Sequence, residues 1–256
     1  TIIGAADFQH DGKRLIVEGA TLTLAGEHAY ESVELRNSAV LTSPLQSVVK
    51  LHAGTIEVDA SSRIDVSAKG KPGTTAIGNL SGGSYGGRGG VFSGRVTNEP
   101  YGDFREPKDF GTGGRDSWSG FTLGGGALEL QADELKLEGL IQANGQVNSS
   151  SNYGSGSGGS LLLRVGRLSL SDQARIEANG GGATTGYAYG GGGGGRVAVY
   201  YDQVVTGSLP SQVLARGGLS SRSEPSIVGA AGSVYLKQAD GPEDLIFDNT
   251  GMPVGG

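Results

Sequence analysis

The chain repeats one pattern of apolar residues and glycines, and this repeat limits the folds that are open to it. Two copies read GGGALELQADELKLEGLIQANG over residues 124–145 and SGGSLLLRVGRLSLSDQARIEANG over residues 157–180. In each copy, a pair of alternating apolar residues is followed seven positions later by a second pair. Because so short a unit cannot bury its apolar face alone, such repeats are expected to stack and share a core.

The spacing predicts an all-β fold, a right-handed parallel β-helix (solenoid) with three short strands per coil. Pairs followed by a further apolar position seven residues on begin at Leu15, Val33, Val49, Leu128 and Leu161. A third short strand is predicted after three of these copies, at Ile64, Ile141 and Ile176. A β-sandwich is the structural alternative, although its strands are usually about 5–6 residues long and joined by hairpins.

Glycine accounts for 49 of the 256 residues, well above the usual fraction of about 7%. Insertions rich in glycine follow Gly70, Gly145 and Gly180, the same point in successive copies. They are predicted to emerge along one edge of the solenoid, which would then be the binding face. Disorder of these segments is the alternative. We expect one domain over residues 1–256, with lead-in coils at 1–70, a glycine-rich insertion at 71–123 and main coils at 124–256.

Charge and composition limit which binding partners and which cellular location are expected for the chain. The net charge is −6, and the basic residues are scattered, which argues against a nucleic-acid partner. The sequence contains no apolar run of about 18 residues, so it predicts no membrane span. A cysteine-free, acidic chain rich in Gly and Ser is typical of a secreted or surface-exposed bacterial protein. Open strand edges at both ends predict flanking domains of a larger chain.

Several segments resemble a known group of proteins. They are GGSYGGRGG at residues 82–90, GGGALEL at 124–130, IEANGG at 176–181 and GGGGGRVAVYY at 191–201. These resemble the glycine-rich parallel β-helix regions of large secreted and surface-displayed bacterial proteins, including adhesin-like and Rhs-type chains. The resemblance implies a β-helical stem and a role at the cell surface, and it brings no catalytic motif with it.

Aromatic and charged residues alternate within the long insertion and could bind sugars. Aromatic rings stack on the C–H faces of sugars, and guanidinium groups form paired hydrogen bonds. The predicted ligand-binding residues are Tyr101, Phe104, Arg105, Arg115 and Trp118. The alternative is that these side chains hold the insertion against the rest of the protein, which would offset the entropy lost on ordering it.

Two kinds of enzyme remain as alternatives, and no catalytic residue is assigned. A glycoside hydrolase needs two carboxyl groups about 5–9.5 Å apart, and the candidate acids are Asp103, Glu106 and Asp109. A polysaccharide lyase needs a basic residue beside a bound uronate, and the candidates for that role are Lys69, Lys71, Arg88 and Arg105.

No metal ligand or cofactor is predicted, with Ca²⁺ left open. The three histidines, at positions 10, 28 and 52, do not have the spacing of metal ligands. Four aspartates predicted at bends could line up as a calcium ladder, namely Asp59, Asp65, Asp133 and Asp172. The glycine–aspartate nonapeptide of calcium-binding β-rolls is not present in the sequence.

The function predicted from the sequence is that of an extracellular, non-catalytic display or adhesion module. Its expected partner is a polysaccharide or a cell-surface glycan. The alternatives are a polysaccharide-degrading enzyme and a purely structural spacer or shell domain.

Overall fold

The computed structural model describes residues 1–115, 120–148, 153–182, 189–220 and 225–251, and the chain is mostly β. Its first sheet contains β1 (Ile2–Ile3), β3 (Thr21–Leu24), β5 (Val40–Thr42), β7 (Arg63–Asp65), β9 (Leu140–Gln142), β11 (Arg175–Glu177) and β13 (Val213–Leu214). Its second sheet contains β2 (Arg14–Glu18), β4 (Gly26–Arg36), β6 (Val49–Val58), β8 (Ala127–Leu137), β10 (Ser160–Leu170), β12 (Arg196–Thr206), β14 (Ser233–Gln238) and β15 (Glu243–Ile246). The described helices are α1 (Leu209–Gln212) and a 3₁₀ turn at Pro225–Ile227.

The prediction of a single right-handed parallel β-helix with three strands per coil is wrong, because the strands form two large sheets. The seven-stranded sheet is parallel, whereas the eight-stranded sheet is mixed, since β15 runs antiparallel to β14. Two apolar pairs that were predicted as separate strands belong to one long strand. Val49 and Val58, for example, are the two ends of β6. Alternation alone cannot distinguish a strand that bends from a strand that ends.

The equal spacing of the first repeats does not correspond to equal pairing of their residues. Leu15 pairs with Val33, and Val33 pairs with Ile56, all within the eight-stranded sheet. Leu22 instead pairs with Leu41 in the seven-stranded sheet. Leu22 follows Leu15 by seven positions across a turn, and Ile56 follows Val49 by seven positions inside one strand. Equal spacing therefore arises from two different backbone paths.

The inward faces of the two sheets share one apolar core. In the eight-stranded sheet, one row of residues in register is Leu51, Leu130, Leu163, Val199 and Leu236. In the seven-stranded sheet, the corresponding row is Leu41, Ile64, Ile141, Ile176 and Val213. Every residue in both rows is at most 3% exposed. Because each such side chain stabilises the fold by about 1.5–3 kcal/mol on burial, these rows determine the register of the strands.

The glycine-rich segments do not project from an edge as predicted. They pack against one another, and most of their residues are buried. We call this region the glycine core, and it consists of residues 70–73, 81–90, 111–114, 122–126, 154–159, 180–182, 190–195, 216–218 and 229–232. Backbone hydrogen bonds connect these segments directly, so the backbone groups of the insertions are satisfied without long side chains.

Residues 190–195 show how the glycine core is built. The N–H groups of Gly190 and Gly193 donate to the carbonyl oxygens of residues 80 and 83. Those of Gly191 and Gly194 donate to the carbonyl oxygens of residues 227 and 230. Those of Gly192 and Gly195 donate to the carbonyl oxygens of residues 181 and 178. The donors thus point in three directions with a period of three, as in an extended threefold helix. A Cβ atom on Gly192 would lie 1.9 Å from the Gly156 carbonyl oxygen, so close packing of the segments requires glycine.

Candidate functional site

A row of side chains crosses the outer face of the eight-stranded sheet. The register from β8 to β14 places four residues side by side, namely Gln131, Arg164, Tyr200 and Lys237. Each of them directly follows a core residue in the sequence. Because successive residues of a strand point to opposite faces, the row faces away from the core. The register that aligns the core therefore also aligns this row.

Part of the long insertion, residues 101–110, lies against this outer face. The ring of Phe104 meets that of Tyr235 edge-on, with centroids 5.5 Å apart. The guanidinium carbon of Arg105 lies 4.4 Å from the centroid of the Phe104 ring. The hydroxyl of Tyr200 donates a 2.9 Å hydrogen bond to the Arg105 carbonyl oxygen. Such ring contacts are each worth about 0.5–1.5 kcal/mol, so they hold the insertion on the sheet.

An ion pair between Glu106 and Arg164 joins the insertion to the row. Nη2 of Arg164 lies 2.7 Å from both carboxylate oxygens of Glu106. The guanidinium carbon of Arg164 also lies 5.3 Å from the centroid of the Tyr200 ring. Both charged side chains are about half exposed, so the pair contributes at most about 1 kcal/mol to stability. Its main effect is to orient Arg164 across the face of Tyr200.

Tyr101, predicted to bind ligand, is engaged within the protein. Its hydroxyl donates to the Phe110 carbonyl oxygen at 2.5 Å and lies 2.7 Å from the Thr112 hydroxyl. Nε of Arg196 donates to the Tyr101 carbonyl oxygen at 2.9 Å. The ring of Tyr101 packs on the ring of Tyr85, with centroids 4.9 Å apart. Burial raises the pKa of Tyr101 to about 12, so its hydroxyl remains a protonated donor that connects the insertion to the glycine core.

A groove of about 520 Å³ opens beside the insertion. Its aromatic lining residues are Tyr200 and Tyr201, and its charged ones are Asp133, Arg164, Asp202 and Lys237. Gln131 and the small residues Ala132, Gly166 and Ala239 also line it, together with Val165. A groove that combines rings, charges of both signs and an amide offers an apolar surface for sugar rings and hydrogen-bond partners for hydroxyl groups.

The candidate catalytic acids lie on the insertion, and each residue contacts its neighbours. The carboxylate of Asp103 accepts a 2.8 Å hydrogen bond from the backbone N–H of Arg105. Glu106 is engaged by Arg164, a residue of the groove lining. The carbonyl oxygen of Asp109 accepts a 2.6 Å hydrogen bond from the Ser160 hydroxyl. These contacts hold the three residues in the folded segment.

Two other predicted ligand-binding residues are not part of this arrangement. Arg115 does not line the groove, and its Nη1 donates to the carbonyl oxygens of Thr75 and Ile77 at 3.3 and 3.4 Å. Trp118 lies outside the described residues. None of the predicted ligand-binding residues that the structure describes lines the groove, although Phe104 and Arg105 contact Tyr235 and Tyr200 on the same outer face.

Within the described ranges, no group of three or more His, Asp or Glu side chains is arranged to hold a metal ion. Two of the aspartates considered for a calcium ladder bind the backbone. Asp59 accepts hydrogen bonds from the N–H groups of Asn37 and Ser61 at 2.7 and 2.9 Å. Asp65 accepts one from the N–H of Ser67 at 2.9 Å. These carboxylates stabilise the bends between strands.

Comparison of the chain with protein-family models, with curated proteins and with solved structures gave no match. In the part of the chain that the structure describes, no helix is both long and apolar enough to cross a membrane.

The sequence analysis did not predict the residues that line the groove. Arg164, Tyr200, Lys237 and Asp202 were not singled out for binding. A usable signal was present, because aligning the repeats on their core pairs places Leu163-Arg164, Val199-Tyr200 and Leu236-Lys237 in equivalent positions. Reading the residue after each core position would have predicted an outer row of aromatic and cationic side chains.

Proposed function

We propose that the chain is an extracellular, non-catalytic adhesion or display module whose outer groove binds a polysaccharide or a cell-surface glycan. The observation that carries this proposal is the groove of about 520 Å³ with Tyr200 and Tyr201 beside four charged residues. Saccharide sites require an apolar ring surface together with polar groups that fix the orientation of the hydroxyls. The groove lining supplies both, with Tyr200 on the outer face and Tyr201 also packed against the apolar core.

The side chains around the groove are held in place, which favours ligand binding without a large conformational change. The row of Arg164, Tyr200 and Lys237 is carried by three neighbouring strands in register, and the insertion fixes two of its members from above through Glu106 and Arg105. Side chains held in this way lose little conformational entropy when a ligand binds. A preorganised site of this kind suits a module that holds a glycan.

The direct test measures glycan binding by the whole chain on a glycan array, followed by calorimetry with the best ligand. Tyr201→Ala and Lys237→Ala are each expected to weaken binding at least about fivefold, because each removes a contact worth roughly 1 kcal/mol. Lys50→Ala is the matched control on the same sheet, since Lys50 is not part of the groove lining, and it should leave affinity unchanged.

The same samples separate binding from turnover. Incubation with the bound glycan should release no reducing sugar and no unsaturated product. Release that disappears in Glu106→Gln or Asp103→Asn would establish the hydrolase alternative instead. Absence of binding to any glycan, in a chain whose circular dichroism shows it to be folded, would refute the proposal and support the spacer alternative.

A further inference from the structure

A second row of residues crosses the outer face of the eight-stranded sheet, two positions further along each strand than the row of Arg164 and Tyr200. It contains Asp133, Gly166 and Asp202, which the flanking pairs bring opposite one another on β8, β10 and β12. A Cβ atom on Gly166 would lie 2.7 Å from the carbonyl oxygen of Asp133 and 3.6 Å from a carboxylate oxygen of Asp202. Members of both rows line the groove.

The carboxylates of Asp133 and Asp202 are free to bind a ligand. Both residues are exposed, and neither side chain forms a hydrogen bond or an ion pair with any residue that the structure describes. In contrast, the carboxylates of Asp59 and Asp65 bind backbone N–H groups at the bends between strands. A carboxylate only accepts hydrogen bonds, so the groove offers two acceptors that the fold itself does not use.

The two cations of the groove already have partners. The guanidinium group of Arg164 is paired with Glu106. Nζ of Lys237 donates a 3.0 Å hydrogen bond to the Gly241 carbonyl oxygen, and Lys237 lies opposite Glu243 in the antiparallel pairing of β14 with β15. The groove lining carries two positive and two negative charges, and Glu106 brings a further negative charge beside it. This balance of charge disfavours an anionic ligand.

We propose that the groove is specific for neutral glycans, an inference that rests on the glycan-binding function proposed above. Asp133 and Asp202 accept hydrogen bonds from sugar hydroxyl groups, and bonds to a charged acceptor are about twice as strong as neutral ones. Gln131 and Lys237 donate to sugar oxygens, while Gly166, which has no side chain, leaves the space between the two carboxylates open. A uronate or sulfate group in this place would add negative charge beside two carboxylates that have no counterion.

The test uses the whole chain on a glycan array that carries neutral, uronate-bearing and sulfated glycans, and the neutral ones should be bound. The best neutral ligand is then prepared in a lightly carboxymethylated form and a lightly hydroxyethylated form, which are similar in size but differ in charge. Calorimetry should show that the carboxymethylated form binds at least about fivefold more weakly, because like charges meet in the groove. Affinity for the unmodified neutral ligand should change less than about twofold between low and high NaCl, since no ion pair with the ligand is formed.

Two variants connect this preference to the aspartates. Asp133→Asn and Asp202→Asn should each weaken binding of the neutral ligand at least about threefold, because an amide oxygen is a weaker acceptor than a carboxylate. Each should also reduce the difference between the carboxymethylated and hydroxyethylated forms, which a merely structural role of the aspartates would leave unchanged. Asp172→Asn makes the same change at a position outside the groove lining, and this control should bind like the wild type.

The outcomes separate this inference from the function on which it rests. If the chain binds uronate-bearing or sulfated glycans in preference to neutral ones, the inference is overturned and glycan binding stands. Wild-type affinity and wild-type discrimination in both aspartate variants would also overturn it. If no glycan of any class binds to the folded chain, the proposed function itself fails, and the specificity fails with it.

Discussion

Replacement of Gly192 by alanine should destabilise the protein severely, although the change adds one methyl group. The new Cβ would lie 1.9 Å from the carbonyl oxygen of Gly156 and 2.4 Å from its carbonyl carbon. Ordinary contact begins near 3.4 Å, so one backbone segment would have to move by about 1.5 Å. Gly156 is held by backbone hydrogen bonds to residues 146 and 181, and it cannot move without disturbing both.

The magnitude follows from the contacts that would be lost. Overpacking of a buried site costs about 1–3 kcal/mol. The shift would also disrupt the hydrogen bonds of Gly192 with Gly181 and Gly218, which are 3.0 and 2.7 Å long and worth about 1 kcal/mol each. The expected loss is about 3–5 kcal/mol, a large share of the 5–15 kcal/mol typical of a folded protein.

Urea denaturation followed by circular dichroism measures this loss, and two glycines serve as controls. Gly4→Ala should change stability by less than about 0.5 kcal/mol, because nothing lies within 4 Å of its added Cβ. Gly12→Ala also has open space but a φ of +73°, so it should cost about 1 kcal/mol from backbone strain alone. If Gly192→Ala were as stable as Gly4→Ala, close backbone packing in the glycine core would be refuted.

Two further predictions concern polar contacts. Hydrogen bonds from Thr250 and Arg216 lower the pKa of Asp248 to about 2. An unfolded Asp titrates near pH 3.9. The contribution of the Asp248 carboxylate to stability is therefore present above about pH 3.9 and is lost as the pH falls towards 2. Asp248→Asn should therefore flatten the pH dependence of the melting temperature between about pH 4 and 2, and an unchanged slope would contradict this assignment. Tyr85→Phe removes the 2.7 Å hydrogen bond between the Tyr85 and Ser160 hydroxyls and should cost about 1 kcal/mol in chemical denaturation; equal stability of the variant and the wild type would show that this buried bond contributes nothing.

The apolar pattern predicted which residues are buried better than it predicted how the strands are connected. Ile64, Ile141 and Ile176 were assigned to one recurring strand, and they do stack in register in the seven-stranded sheet. Leu22 belongs to that same sheet, although its spacing from Leu15 copies the spacing inside β6. Side-chain alternation reports the direction of each side chain, but it carries no information on whether the backbone bends or turns between two positions.

The packing of the glycine segments and the groove could not be derived in the same way. A glycine has no side chain to alternate, so the threefold hydrogen bonding of residues 190–195 leaves no periodic apolar signal in the sequence. The sequence predicts the site among the aromatic and charged residues of the insertion. The groove instead combines residues from four strands that are distant in sequence, such as Asp133 and Lys237, and only the register of the sheet brings them together.

The glycine core has a thermodynamic consequence for the whole molecule. Unfolding exposes amide groups from this region where an ordinary protein of this size would expose hydrocarbon, and hydration of polar groups lowers the heat capacity whereas hydration of apolar groups raises it. The heat capacity increment of unfolding should therefore fall below the usual value of about 12–15 cal/mol/K per residue. A smaller increment gives a broad, shallow curve of free energy against temperature, so the protein would keep a nearly constant margin of stability from cold to warm surroundings.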